Sequence, residues 1–209
     1  SFNALAMLKR YQTDTWFTIG DRDLATHIER TRLLNEGYTL SDVTRHLCAR
    51  LGVQIVLAPM SDHPVRTILN TDEGNLAFQD YFVRRKYEPI IKSVDFYGVK
   101  SAQASAIFQQ VMRITQAVIF CPSNPVLSIG PILAVPEVNM ALERFSGLRL
   151  AVSPIVGGQA IRGPAAKIMR ELGEDASCVG VAKRLSRVCD VIVIDTKDID
   201  RVDDIKALG

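Results

Sequence analysis

Short apolar segments that alternate with stretches of helical periodicity constrain the fold of this chain more than any other feature. There are five of them, at residues 16–19 (WFTI), 53–57 (VQIVL), 117–120 (AVIF), 149–152 (RLAV) and 191–194 (VIVI). All but the first are rich in β-branched or aliphatic residues without clean polar alternation, which is typical of strands covered on both faces of a parallel sheet. Their alternation with helices predicts right-handed crossovers and an α/β fold with a doubly wound, mainly parallel sheet.

Three stretches between these segments have the period of a helix. Residues 41–51 repeat apolar side chains behind a candidate cap at Ser41, and residues 104–115 carry an apolar side of their own. In residues 164–172, Pro164 occupies the first turn and Gly173 follows the last residue, as at many helix ends. These three stretches are predicted to be the helices that connect the strands.

The middle of the chain, residues 62–100, breaks this alternation. Two short strands are predicted around the turn at residues 72–75, followed by an aromatic and basic helix. We interpret the segment as an inserted α+β subdomain that packs on the sheet, as a lid or as a dimer surface. With 209 residues, the chain is predicted to form a single α/β domain over residues 1–209.

The composition excludes several classes of protein. The apolar fraction of 47% supports a sizeable core, and a net charge of +2 without a basic stripe argues against nucleic-acid binding. No apolar run reaches the length of about 18 residues that a membrane span needs. The four cysteines form no Cys-x-x-Cys pair and the three histidines have no zinc-ligand spacing. We therefore expect a cytoplasmic protein, in a reducing compartment, without a structural zinc site.

Loops that follow predicted strands are the expected place for a ligand, because open α/β sheets bind ligands beyond the carboxyl ends of their strands. Four such loops are unusual, at residues 20–23, 59–64, 122–128 and 153–164. Gly157 and Gly158 in the fourth loop allow close backbone approach, and Pro164 opens a helix whose N-terminus favours negative charge. The third loop supplies neutral donors from Ser123, Asn124 and Ser128.

These loops, with the cations Arg162 and Lys167, predict an anionic ligand. The alternative interpretation is that the glycines and prolines simply form tight turns. The sequence has no complete phosphate-binding loop, no dinucleotide fingerprint and no nucleophile elbow, and an ordinary dehydrogenase is disfavoured.

The first loop, Gly20-Asp21-Arg22-Asp23, has two interpretations. If Asp21 caps the following helix, then Asp23, Thr26, His27 and Arg30 share one face, and the segment is a capped helix start with a local salt bridge from Asp23 to His27 or Arg30. The alternative is that the same residues bind a substrate.

Five longer motifs favour the second interpretation. They are WFTIGDRDLATHIERT, LAPMSDHPVRT, FQDYFVRR, CPSNPVLSIGPILAVP and AVSPIVGGQAIRGPAAKIMRELG, and they occur in this order along the chain. Taken together they resemble the 2-phospho-L-lactate transferase family of coenzyme F-420 biosynthesis, whose bacterial members are phosphoenolpyruvate transferases. The similarity runs from about residue 5 to the end of the sequence.

The resemblance implies a Rossmann-like fold, a magnesium-dependent enzyme and a homodimer. Such enzymes transfer a phospholactyl or phosphoenolpyruvyl unit from a guanosine-diphosphate-activated donor to the ribityl hydroxyl of 7,8-didemethyl-8-hydroxy-5-deazariboflavin, and GMP leaves. Arg22, with Thr26 and His27 nearby, is then expected to contact the deazaflavin. The expected contacts to the nucleotide are Ser123, Asn124, Pro125, Ser128, Gly157 and Gly158.

Three carboxylates, Asp21, Asp23 and Asp62, are candidates for the group that accepts the proton of the acceptor hydroxyl, and the sequence does not choose among them. Family members begin with a strand, a Gly-rich turn and metal-binding aspartates. None of these is in the sequence, so we expect an N-terminal truncation that includes the main Mg²⁺ ligands. The alternative function is a non-catalytic regulator that binds a nucleotide or nucleotide sugar on a related Rossmann-like fold.

Overall fold

A three-stranded parallel sheet organises the C-terminal half of the protein, in a computed structural model that describes all residues from Ser1 to Gly209. Its strands are β4 (Ala117–Phe120), β5 (Leu148–Val152) and β8 (Val191–Val193), in the spatial order β4-β5-β8. Ala117 pairs with Leu148, and Leu150 pairs with Val191. Three of the five predicted strands are thereby confirmed, and so is the α/β class.

Helices precede, connect and follow these strands, and a short hairpin leaves the sheet after β5. The helices are α4 (Ala106–Ile114), α5 (Gly130–Ala134), α6 (Pro136–Glu143), α7 (Ala165–Glu171), α8 (Cys178–Leu185) and α9 (Val202–Lys206). The hairpin consists of β6 (Ile155–Val156) and β7 (Gln159–Ala160). Two further turns of helix flank the sheet, a π-helix at Pro125–Ile129 and a 3₁₀-helix at Thr196–Arg201. The predicted helices at 104–115 and 164–172 are confirmed, with Ser105 capping α4 and Gly173 (φ +74°) following α7.

The middle segment forms an antiparallel sheet of its own. Strands β1 (Arg66–Thr71) and β2 (Gly74–Ala77) pair around the predicted turn, and β3 (Ile91–Tyr97) adds to the other side of β1. The predicted aromatic and basic helix is a single π-helical turn, Asp80–Arg84, and β3 was not predicted. A 3₁₀-helix, Val99–Ser101, ends the segment.

The N-terminal part consists of three helices, α1 (Asn3–Arg10), α2 (Asp21–Asn35) and α3 (Leu40–Arg50). The helix predicted at 41–51 is confirmed as α3, but its cap is Thr39 rather than Ser41. Thr39 and Asp42 form a capping box, in which the Thr39 hydroxyl accepts a hydrogen bond from Asp42 N at 3.1 Å.

Two predicted strands, 16–19 and 53–57, are wrong. Neither segment pairs with another strand, and both are irregular in the structure. Residues 53–57 lie at the surface, where Ile55 and Val56 are 69% and 74% exposed. An extended apolar segment becomes a strand only when a neighbour takes up its backbone hydrogen bonds, and these two segments have no such neighbour among the 209 residues.

One core holds the two sheets together. A cluster of 19 buried residues runs from Leu69 to Val188, and it includes Tyr81 and Ile91 of the middle segment. Lys167 of α7 ties that segment down, because its ammonium group lies 2.9 Å from Pro89 O and 2.5 Å from Glu171 Oε1. Glu171 in turn accepts a hydrogen bond from Ile91 N at 3.0 Å. The middle segment therefore packs into the core of the parallel sheet.

No single helix is both long and apolar enough to cross a membrane. One bent pair of helical stretches, Pro125–Ala134 and Pro136–Glu143, meets those criteria only when its members are joined across a 93° break.

Candidate functional site

Two of the four loops predicted from the sequence meet in one cavity. The cavity has a volume of about 370 Å³ and lies where the loop after β4 faces the loop between β7 and α7. Because β4 and β5 are neighbours and parallel, their carboxyl ends bring these loops to the same edge of the sheet. The lining residues are Phe78, Phe82, Pro122, Ser123, Asn124, Leu127, Ser128, Pro154, Ile161, Arg162, Gly163, Pro164 and Ala165.

Asn124 shapes the third loop, at residues 122–128. Its Oδ1 accepts hydrogen bonds from Val126 N at 2.9 Å and Leu127 N at 3.0 Å, and Pro125 occupies the first turn of the π-helix that follows. This is the side-chain capping that a helix start requires, and it leaves the amide nitrogen Nδ2 for another partner. Pro125 itself is buried beneath the loop and does not line the cavity.

Four polar groups at this cavity have no hydrogen-bond or ion-pair partner within the protein. They are the hydroxyls of Ser123 and Ser128, the amide nitrogen of Asn124 and the guanidinium group of Arg162. The rest of the lining is largely apolar, so these donors are concentrated at a few points. A mostly apolar cavity with a few converging polar groups is the usual form of a small-molecule site, and a cation with three neutral donors suits an anionic ligand.

Gly157 and Gly158 do not line this cavity. They form the turn of the β6–β7 hairpin, with φ of +57° and +72°, values that a side chain would strain. The Gly157 N–H donates to the carboxylate of Asp198 at 3.0 and 3.1 Å, and Gly158 O accepts from Arg170 at 2.7 Å. The geometry favours the tight-turn interpretation for this pair, and a role in ligand binding stays a prediction.

Asp198 is the residue of this region that sequence reasoning missed. It lies in the 3₁₀-helix after β8 and is only 5% exposed, yet its carboxylate forms no salt bridge. Its hydrogen bond from Gly157 fixes the hairpin that leads to Arg162. No local pattern signals this role, because the two residues are 41 positions apart.

The first loop has a structural role at Asp21. Gly20 precedes the first residue of α2, and the Asp21 carboxylate accepts hydrogen bonds from Asn3 N at 3.2 Å and Ala4 N at 3.1 Å. Hydrogen bonds from Ser1 and from the Ala4 amide hold the pKa of Asp21 below its ordinary value. Asp21 therefore caps α1, and as an ionised, hydrogen-bonded carboxylate it is a weak proton acceptor.

The other residues of this loop point to solvent or to their own helix. Arg22, Asp23 and His27 are exposed, and Thr26 donates from its hydroxyl to Arg22 O at 3.1 Å. The salt bridge considered for Asp23 is absent. The ion pairs of α2 lie further along, where Arg32 contacts Glu29 at 2.9 Å and Glu36 at 2.5 Å.

Asp62 also has a backbone partner. Its carboxylate accepts a hydrogen bond from Ser41 N at 2.7 Å and so ties the second loop to the first turn of α3. None of Asp21, Asp23, Asp62, Arg22, Thr26 and His27 lines the cavity at Ser123. The structure thus brings the neutral donors of the third loop and Arg162 together, and it leaves the predicted deazaflavin and proton-acceptor residues elsewhere.

A contact nevertheless connects the first loop with the cavity wall. Arg84 of the π-helix at Asp80–Arg84 lies over the ring of Trp16, 5.8 Å from its centroid. Trp16 precedes the Gly20–Asp23 loop, and the same π-helical turn carries Phe82, which lines the cavity. The middle segment is therefore the element that both regions contact.

The residues present do not by themselves supply a cluster of protein ligands for a magnesium ion. No group of three or more His, Cys, Asp or Glu side chains is arranged to hold a metal ion.

Comparisons with known proteins agree on one family. The sequence model of the family described as 2-phospho-L-lactate transferase CofD matches residues 3–206. A 2-phospho-L-lactate transferase of Methanosarcina mazei is 35% identical over 198 residues, which are 95% of this chain and 65% of that protein. A phosphoenolpyruvate transferase of Streptomyces griseus is 37% identical over 199 residues, which are 93% of this chain and 63% of that protein. The chain spans slightly less than two thirds of the length of either relative.

Solved structures support the same fold. A protein of the UPF0052 family from Bacillus halodurans superposes with a TM-score of 0.59 at 13% identity, covering 87% of this chain and 62% of that one. At this identity the likeness extends to the fold alone.

Proposed function

The chain belongs to the 2-phospho-L-lactate transferase CofD family, and from this premise we propose that it forms the donor-binding part of such an enzyme. The proposed reaction transfers a phospholactyl or phosphoenolpyruvyl unit from a guanosine-diphosphate-activated donor to the ribityl hydroxyl of 7,8-didemethyl-8-hydroxy-5-deazariboflavin. GMP is released, and the product is an intermediate of coenzyme F-420 biosynthesis. We expect magnesium to be required and the enzyme to be a homodimer.

The observation that carries this proposal is the set of four polar groups without intramolecular partners at the 370 Å³ cavity. Arg162 supplies a cation for the diphosphate, and Ser123, Asn124 and Ser128 supply neutral donors. Transfer at a phosphate needs positioning and neutralisation of negative charge more than a covalent intermediate, because the charge spreads over the phosphate oxygens. Positioned donors at the carboxyl edge of a sheet meet that need.

A carboxylate is still required to accept the proton of the attacking hydroxyl. Asp21 and Asp62 each accept hydrogen bonds from backbone amides, whereas Asp23 is exposed and has no hydrogen-bond or ion-pair partner within the protein. Asp23 also follows Arg22, the residue that we propose to contact the deazaflavin. We therefore place Asp23 ahead of the other two as the proton acceptor.

Titration of two variants tests the assignment of the two subsites. Arg162→Gln removes a charge at the cavity, and we expect GDP to bind about 10-fold more weakly by calorimetry, because a charge-assisted hydrogen bond is lost. Arg22→Ala should leave GDP affinity unchanged and weaken deazaflavin binding, measured by the fluorescence of the deazaflavin. Equal GDP affinity in wild type and Arg162→Gln would exclude this cavity as the diphosphate site.

A second experiment distinguishes the transferase function from that of a non-catalytic regulator. The full-length protein, with whatever residues precede Ser1, is incubated with magnesium, deazaflavin and each activated donor, and the products are identified by mass. Formation of GMP together with a deazaflavin phosphodiester supports the transferase. Binding of GDP in the absence of any transfer would favour the regulator.

A further inference from the structure

We propose that the stacked rings of Phe78 and Phe82 form an aromatic wall on which the purine ring of the donor nucleotide stacks. This proposal rests on the proposed function, and it gives the middle segment a direct part in substrate recognition. Phe78 follows strand β2 and Phe82 lies in the π-helix at Asp80–Arg84, and both side chains line the 370 Å³ cavity with Ser123 and Asn124.

The geometry of the two rings suits a planar ligand. Their centroids are 5.5 Å apart and their planes differ by 21°, so the rings are stacked nearly parallel. Both side chains are only partly buried, although they pack against the main core. A planar ligand in the cavity can stack on this nearly parallel pair of partly exposed rings, because aromatic rings attract each other in offset stacks.

A third aromatic side chain adjoins the wall. Tyr87 packs against Phe82 with centroids 5.8 Å apart, and Lys86 and Tyr87 both adopt left-handed backbone conformations, with φ of +49° and +51°. Such conformations cost free energy in residues other than glycine and persist where the surroundings enforce them, often at functional sites. Single π-helical turns are also frequent at functional sites, and this one carries Phe82.

Phe82 also lies near the loop that supplies the cation. A Cβ added to Gly163 would lie 3.9 Å from Phe82 Cζ, so the ring and the backbone next to Arg162 are separated by about the space of one methyl group. A purine on this wall would therefore have its base beside the rings and its phosphates within reach of a cation and of the hydroxyls of Ser123 and Ser128. Such stacking contacts only the flat face of the base. It therefore favours a large planar base but does not distinguish bases by the hydrogen-bonding groups on their edges.

Substitutions that keep the apolar volume but remove the ring test the proposal. We expect Phe82→Leu to weaken GDP binding about 10-fold to 100-fold in calorimetric titrations, which is the usual effect of losing one base–aromatic stack. Binding of inorganic pyrophosphate, which has no base, should be unchanged in the same variant. Phe82→Trp should restore GDP affinity, and Phe96→Leu, an aromatic substitution outside the cavity, should leave it unchanged.

The outcomes separate this proposal from the proposed function. If wild type and Phe82→Leu bind GDP equally, the aromatic wall is wrong while the donor site stands. If Phe82→Leu loses GDP and pyrophosphate equally, the ring acts on the structure of the loop, and stacking is overturned. If Phe82→Leu weakens deazaflavin and spares GDP, the wall belongs to the acceptor. Failure of wild-type protein to bind GDP would overturn both proposals.

Discussion

The first 60 residues and the rest of the chain are stabilised in different ways. The main core cluster of 19 buried residues lies entirely between Leu69 and Val188. The N-terminal part buries only three hydrophobic residues, Leu5, Leu33 and Val43, and exposes many others, among them Ile28, Ile55 and Val56. The cavity is built by loops anchored on the larger core, whereas the Gly20–Asp23 loop starts a helix with few buried contacts.

This difference explains why the two predicted subsites are so unequally formed. Loops that leave paired strands are fixed at both ends, so the fold itself brings Ser123, Asn124 and Arg162 together. Arg22, Asp23 and His27 project from the surface of α2 without side-chain partners. Preorganised donors lose little entropy on binding, whereas exposed long side chains must be ordered by the ligand.

Core truncation should give the largest contrast between the two regions. Ile168 of α7 is fully buried, and Ile168→Ala should lower the free energy of unfolding by about 2–5 kcal/mol, because it leaves a cavity in packed surroundings. Ile28 of α2 is 62% exposed, and Ile28→Ala should change it by no more than about 0.5 kcal/mol. Urea denaturation followed by circular dichroism measures both. A large loss for Ile28→Ala would show that α2 is covered in solution and would remove the contrast.

Removal of an ion pair should also lower the free energy of unfolding more in the larger core than in the N-terminal part, but by a smaller amount than core truncation. Lys167→Met leaves the Glu171 carboxylate, whose side chain is only 15% exposed, without its cation, and we expect a loss of about 1–3 kcal/mol. Arg32→Met breaks the pairs with Glu29 and Glu36 on the open surface of α2, where the Arg32 side chain is 51% exposed. Because exposed pairs contribute little, no resolvable change is expected there. Equal losses in the two variants would contradict the contrast.

The sequence predicted the parallel sheet and the cavity loops correctly, because both follow from local pattern. The apolar runs at 117–120, 149–152 and 191–194 pair with one another, and the polar loop at Ser123 follows one of them. The runs at 16–19 and 53–57 have a comparable apolar character and form no strand. Whether an apolar run becomes a strand depends on a partner strand, which hydrophobicity does not encode.

Two features of the site depend on contacts between distant residues and were therefore not predicted. Phe78 and Phe82 reach the cavity because the antiparallel sheet packs on α7 through Lys167 and Glu171. Gly157 suggested an exposed amide, but Asp198 accepts its hydrogen bond from 41 residues away. The glycines at 157–158 were consistent with either a ligand or a turn, and only the fold around them favours the turn.

The smallest difference expected between the two regions is in the pH dependence of their stability. Hydrogen bonds from Arg149 hold the pKa of Asp190 below its ordinary value of 3.8. Asp190 accepts from Arg149 N at 3.0 Å and Nε at 3.1 Å, and this pair joins the starts of β5 and β8. Because the folded pKa is the lower one, the stabilisation is fully present above pH 3.8 and is lost as the pH falls through the folded value.

Asp190→Asn should therefore be less stable than wild type at pH 7, and the two should converge as the pH is lowered below 3.8. Glu29, whose pKa is lowered by Arg32, is the matched carboxylate of the N-terminal region. Glu29→Gln should show the same direction with a smaller gap, because the Arg149 side chain is 15% exposed and that of Arg32 is 51% exposed. The gap between each variant and wild type, measured by urea denaturation at each pH, cancels the titration of the other carboxylates. A gap for Asp190→Asn that persists unchanged into acid would mean that its amide disturbs packing between β5 and β8, and that the charge on Asp190 contributes nothing.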